Sequence, residues 1–138
     1  MSDRRTFLRW GAGLAVAAVL SLGAIASAVA AERRPYDAAA FQAAQAAGKP
    51  IMVEVYAPWC PICVRQKPVI DALKKTPEFS DLTIFTVDFD SQKDLLRQFN
   101  VQKQSTLIVF NGKTERARST GVTDPAEIRS LLMKAKGA

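Results

Sequence analysis

From Asp37 onward, short apolar runs of strand length alternate with stretches of helical pattern, in the order α-β-α-β-α-β-β-α. Strands separated by helices require parallel crossovers, whereas two strands joined directly form an antiparallel hairpin. The economical arrangement is α/β, a central mixed β-sheet flanked by helices on both faces. Asp37 to Ala47 reads as the first helix, with Phe41 on its buried side and Gly48 just past its end. Ile51 to Tyr56 is the first strand. A helix starts at Pro61 and ends near Lys75, and Pro68 inside it is expected to kink it. Leu82 to Val87 is the second strand. Ser91 to Phe99 fits a short helix capped by Asp90 or Ser91. Thr106 to Phe110 is the third strand, and Asn111-Gly112 signals a tight hairpin turn. Lys113 to Thr120 returns with the alternating charges of a sheet edge. Gly121 breaks that strand, and Pro125 opens a last helix with Ile128, Leu131 and Leu132 as its apolar stripe. Phe79, Phe85, Phe89, Phe99 and Phe110 are expected in the core.

Composition narrows the chemistry more sharply than the fold. The 138 residues include two Cys and no His, which excludes Ser-His, Cys-His and His-ligated metal mechanisms within the chain. Two cysteines cannot complete a four-coordinate zinc site without other ligand types or a second chain. They are also too few for a disulfide-rich scaffold. The remaining chemistry rests on two thiols.

Those thiols lie in Trp59-Cys60-Pro61-Ile62-Cys63, where the first strand gives way to the helix containing Pro68. Only a thiolate attacks a disulfide, and an ordinary thiol is mostly protonated at neutral pH. The first turn of a helix offers free N–H groups and partial positive charge, which favours a thiolate at Cys60. Cys63 falls on the same helix face and can close a disulfide with Cys60. Glu54 interrupts an apolar strand six residues before Cys60. If buried, it gains a raised pKa and can take the proton of Cys63. If near the strand's end and solvated, it has no such role.

Over essentially the whole of residues 31–138 the chain resembles the thioredoxin family. The resemblance rests on the strand Ile51–Tyr56, the turn Ala57-Pro58-Trp59-Cys60-Pro61-Ile62-Cys63, the helix proline Pro68, the Asn111-Gly112 hairpin and Gly121. It implies a thioredoxin fold and thiol–disulfide oxidoreductase activity, with Cys60 as the exposed nucleophile and Cys63 as the resolving thiol. Glu54 stands where thioredoxins carry a buried Asp that assists proton transfer. Trp59, Pro61, Ile62 and the loop Gln104-Ser105-Thr106 are the implied substrate-binding surface. One departure concerns that loop: where the family has a cis-proline facing the disulfide, this chain has Ser105. A trans peptide is expected there, since a cis bond before a non-proline residue costs about 2.5–4 kcal/mol. The Ser105 hydroxyl is expected near Cys60, donating to its thiolate.

The N-terminal segment reads as an export signal. Asp3-Arg4-Arg5-Thr6-Phe7-Leu8-Arg9 precedes an uncharged run from Trp10 to Ala31, and Ala28-Val29-Ala30 offers a peptidase site. The paired arginines followed by Phe7-Leu8 resemble the twin-arginine signal, assigning residues 1–30 to a signal peptide and 31–138 to the folded domain. The run of 22 uncharged residues is also long enough to span a bilayer as a retained anchor. Either outcome places the domain outside the cytoplasm, in the periplasm.

Residues 31–138 carry 16 basic and 12 acidic side chains, a balance of +4 that supports solubility and nothing sharper. No basic block with interleaved aromatics points to nucleic acid. Arg33-Arg34 reads as a solvated terminus, and Asp88 and Asp90 as loop or cap residues. The expected partners are protein thiols and disulfides, with a membrane electron donor or acceptor, and the chain is expected to act as a monomer without cofactor. Pro61-Ile62 lacks a charged or imidazole group between the thiols, which inclines the reading toward a reductant. A second class is a binding module in which the two thiolates of each of two chains hold a metal or iron–sulfur cluster. A third is a plain stabilising disulfide, whose loop is too short to constrain the unfolded chain much.

Overall fold

The computed structural model describes residues 31–138. The proposed signal peptide, residues 1–30, lies outside the described residues. Among those described, no helix is long and apolar enough to cross a membrane.

Ten elements follow one another: β1 (Glu32–Pro35), α1 (Ala38–Ala46), β2 (Pro50–Tyr56), α2 (Pro61–Leu73), a 3-10 turn (Pro77–Phe79), β3 (Thr83–Asp88), α3 (Lys93–Gln98), β4 (Thr106–Asn111), β5 (Thr114–Thr120) and α4 (Pro125–Ala135). They form one five-stranded sheet in the order β1-β3-β2-β4-β5. β3 runs parallel to both β1 and β2, while β4 is antiparallel to β2 and β5. The sheet is mixed, as the element order requires.

Strand alternation sorts the core into two layers. Met52, Ile84, Leu107 and Val109 pack with Ile70 of α2 and Ile128 and Leu132 of α4. Ile51, Val53, Val55, Val87 and Ile108 face the other way, onto Phe41 of α1 and Leu96 of α3. This second layer is aromatic: Phe41 lies edge-on to Phe85, Phe99 and Phe110 with ring centres 5.5–5.6 Å apart. By the same alternation Glu54 belongs to the first layer, beneath α2. It is 3% exposed, which removes the solvated alternative.

Helix ends follow local chemistry. Asp37 caps α1 by accepting from the Ala40 N–H at 2.8 Å, and Asp124 caps α4 through Glu127 N–H at 3.0 Å. Pro125 takes the first position of α4, where a missing N–H costs nothing.

Several expectations need correction. Arg33 and Arg34 are not a solvated terminus but part of β1, which the sequence pattern did not reveal. Four residues with two arginines and a terminal proline carry no strand signal of their own; pairing with β3 organises them. The cap of α3 is neither Asp90 nor Ser91 but Gln92, which makes no side-chain cap bond. Asp88 instead gathers the Asp90 N–H, the Ser91 N–H and the Ser91 hydroxyl at 2.8–2.9 Å, building the turn before the helix. Phe89 is only partly buried, because it lies past the end of β3 and packs under Trp59 with ring centres 6.3 Å apart. The hairpin turn is centred on Gly112-Lys113, one residue later than expected, with Asn111 paired to Thr114. Gly112 adopts φ +56°, the left-handed conformation that a two-residue turn needs at its first central position.

Candidate functional site

β2 ends at Tyr56, and the Ala57–Trp59 turn delivers Cys60 to the N-terminus of α2. Cys60 is the N-cap itself, with extended backbone (φ −82°, ψ 113°) and its sulfur accepting from the Cys63 N–H at 3.2 Å. Pro61 follows at the first helical position, where proline is pre-organised. A sulfur that caps a helix meets free N–H groups and the positive end of the helix dipole together.

Both cysteines are free thiols and both are 1% exposed. The expected exposed nucleophile is thus covered. Ala57, Cys60 and Cys63 form a small apolar cluster with partly buried Tyr56, Ile62 and Phe89 packed against it. Burial pushes the Cys63 thiol up to about 11, and its hydrogen bond to Cys60 acts in the same direction. Cys63 therefore keeps its proton at neutral pH unless a base removes it. The Cys63 sulfur lies 4.0 Å from the Val55 carbonyl oxygen, one residue beyond Glu54.

Glu54 sits in the layer beneath α2, its carboxyl raised above the ordinary 4.5 by burial and opposed chiefly by Arg33. Arg33 Nη2 is 3.2 Å from Glu54 Oε2, and Arg33 Nη1 is 3.1 Å from Asp71 Oδ1 on α2. Lys67 and Lys74 of α2 also approach Asp71, at 2.7 and 3.9 Å. Arg33, Glu54, Tyr56, Lys67 and Thr86 line a recess of about 190 Å³.

Ser105 closes the opposite side. The described residues contain no cis peptide bond, and Ser105 instead adopts φ +59°, a left-handed conformation uncommon for a residue with a side chain. Its N–H donates to the Val55 carbonyl at 2.9 Å, docking the loop on β2 beside Cys63. Its hydroxyl does not donate to Cys60 as expected. The positive φ turns the side chain back along the loop, and the hydroxyl donates to the Gln104 carbonyl at 2.5 Å.

The remaining expected binding residues divide by exposure. Trp59 is 56% exposed and Pro61 is exposed; Ile62 and Gln104 are half-buried. Thr106 is buried, its hydroxyl donating to the Lys103 carbonyl at 2.8 Å and meeting the Thr120 hydroxyl at 2.9 Å, so its side chain holds the loop to β5. Two further residues escaped the sequence reading. Asp90 accepts from the Trp59 indole N–H at 2.8 Å. Gln66, 1% exposed on α2, donates to the carbonyls of Ser105 and Val122 at 3.2 and 2.8 Å. A glutamine at a core-facing position three residues after Cys63 was the available signal, since a buried amide needs partners.

Among the described residues no group of three or more His, Cys, Asp or Glu is placed to hold a metal ion. A cluster shared across a dimer would require both sulfurs, each residue 1% exposed, to become accessible.

Comparison with known proteins agrees with this geometry. The thioredoxin family model matches residues 33–134. The chain is 33% identical over 84 residues to a thioredoxin of Chlamydia trachomatis, covering 61% of this chain and 80% of that protein. It is 37% identical over 93 residues to the protein disulfide-isomerase tigA of Aspergillus niger, covering 65% of this chain but only 26% of that longer protein. Among solved structures, Trxlp of Edwardsiella tarda superposes with a TM-score of 0.71 at 46% identity, covering 73% of this chain and 98% of that one.

Proposed function

The chain belongs to the thioredoxin family, and on that premise we propose that it is an exported thiol–disulfide oxidoreductase working as a reductant of protein disulfides. The observation that carries this reading is the pair of sulfurs at the start of α2, with Cys60 capping the helix and Cys63 one turn on, protonated by burial.

The Cys60 thiolate attacks one sulfur of a substrate disulfide, forming a mixed disulfide and releasing the other substrate sulfur as thiolate. Glu54, as carboxylate, takes the proton of Cys63. The Cys63 thiolate then attacks Cys60 Sγ, closing the Cys60–Cys63 bond and releasing the second substrate sulfur. Two electrons pass to the substrate. Trp59 and Val64, the large apolar side chains exposed among the described residues, flank the pair and suit a polypeptide substrate. Cys60 is 1% exposed, so its sulfur must become accessible before it attacks.

Export is supported by Arg4-Arg5 with Phe7-Leu8 and by Ala28-Val29-Ala30. A reductant in the periplasm draws its electrons from a membrane donor. The reduction potential of the full chain, equilibrated with thiol–disulfide buffers, decides the direction: about −270 mV marks a reductant, and about −120 mV an oxidant. Cell fractionation of wild type and of a variant with Arg4 and Arg5 both replaced by Lys tests export.

A further inference from the structure

Glu54 is buried beside a cation supplied not by a neighbouring core strand but by the edge strand β1. Its register partners on β3 and β4 are Thr86 and Leu107, neither of which bears charge. The charged groups facing it are Arg33 from β1 and Lys67, Asp71 and Lys74 from α2; Tyr56 on its own strand completes the surroundings. Of the cations among the described residues, Arg33 alone touches the Glu54 carboxylate, at 3.2 Å, and its side chain is only 16% exposed. Asp71 grips the other end of the same guanidinium at 3.1 Å. The Arg33 Nε is buried and unpartnered. A recess of about 190 Å³ opens at this point, large enough for water beside the Arg33–Glu54 pair.

We infer that Arg33 is a positioning residue for the disulfide exchange, holding the Glu54 carboxylate in place at the recess so that it can accept the Cys63 proton and pass it to water there. This rests on the proposed thiol–disulfide activity. In the resolving step the S–H bond of Cys63 breaks and an O–H bond forms at Glu54. The sulfur's electron pair then makes the bond to Cys60 as the bond from Cys60 to the substrate sulfur breaks. Recess water takes the proton from Glu54 to solvent afterwards. Asp71 orients Arg33 from the helix side, tying the cation to α2 as well as to its own strand.

The experiment measures reduction of insulin disulfides by the full chain against pH, for wild type, Arg33→Met, Arg33→Lys and Glu54→Gln. Without the guanidinium the carboxylate loses its main opposite charge, so the acid limb of the profile for Arg33→Met moves to higher pH by about one unit, the low end for a charge at this distance. Arg33→Lys restores most of the wild-type profile. In a Glu54→Gln background, Arg33→Met changes nothing further. An unshifted acid limb in folded Arg33→Met overturns the inference while leaving the proposed activity intact; a wild type that reduces no disulfide overturns that activity instead. Should Arg33→Met fail to fold, carboxyl titration of Glu54 by isotope-edited infrared spectroscopy in wild type and Arg33→Gln replaces it. Identical Glu54 titration in the two proteins then overturns the inference, and an upward shift in Arg33→Gln supports it.

Discussion

The Gln66 side-chain amide donates to the Ser105 carbonyl at 3.2 Å, bridging the helix that carries both thiols to the loop that faces them. The same amide reaches Val122 at 2.8 Å, so one buried group fixes three segments: α2, the loop before β4 and the loop before α4. Replacing it with an apolar side chain of similar size leaves two carbonyls without this donor in the interior. Gln66→Met is expected to lower stability by about 2 kcal/mol, within the range for stranded buried polar groups. Chemical denaturation checks this, and disulfide reduction at saturating substrate should fall with it as the loop loosens.

Ser105 holds a left-handed backbone conformation with a side chain attached. That conformation costs an L-residue about 1–2 kcal/mol and costs glycine little. Ser105→Gly is therefore expected to raise stability by about 1 kcal/mol, less the entropy glycine adds to the unfolded chain. Ser105→Ala keeps the strain and loses only the bond to Gln104. Its Cys60 alkylation rate should match wild type, because the hydroxyl donates to the Gln104 carbonyl and not to the sulfur. A slowed alkylation would show that the hydroxyl reaches Cys60 after all.

The Cys63 thiol binds its proton more tightly in the native state than in the unfolded chain, about 11 against an ordinary 9.0. Its contribution to stability is complete below about pH 9 and is lost as pH rises from there toward about 11. The reduced protein should lose on the order of 2 kcal/mol across that window through this group. Comparing urea midpoints of wild type and Cys63→Ala at pH 8 and pH 11 isolates the term, since the other alkaline titrations are common to both. Equal losses in the two proteins would remove it.

Asp90 anchors Trp59, the large exposed ring next to Cys60. A surface hydrogen bond to a charged acceptor is worth about 1 kcal/mol or more, and its main effect is to limit where the indole points. Asp90→Ala should raise KM for a protein disulfide severalfold with little change in kcat. Fluorescence anisotropy decay of Trp59, in a background where Trp10 is replaced by Phe, should show faster local motion.

The order of the long elements, the mixed sheet and the position of the cysteine motif were legible because each rests on local signals: apolar runs, Pro61 and Pro125 at helix starts, and the Asn111-Gly112 turn. β1 was illegible for the opposite reason. Glu32 to Pro35 becomes a strand only because β3 offers it an edge, and nothing in those four residues says so. The same gap hid the partner of Glu54, whose burial was one of two open readings while its cation was mistaken for a chain end. Ser105 shows a different limit. The trans peptide was expected from energetics, but the positive φ that turns its hydroxyl onto Gln104 depends on how the loop docks against Val55. The tethers of Asp90 and Gln66 likewise span 31 and 39 positions along the chain, beyond any local pattern.

The central position of β2 sets an order of events during synthesis. The strand leading to Cys60 lies between β3 and β4, and residues 106–111 of β4 leave the ribosome some fifty positions after the thiols. Until β4 and the Ser105 loop arrive, no Ser105 amide docks on Val55 and Gln66 has no carbonyl to hold. The burial that keeps the Cys63 proton in place is thus acquired late, through contacts distant in sequence. A nascent chain halted before residue 105 would lack both the Ser105 amide on Val55 and the Gln66 tie to the Ser105 carbonyl, and the completed chain gains them only when β4 and the loop before it dock.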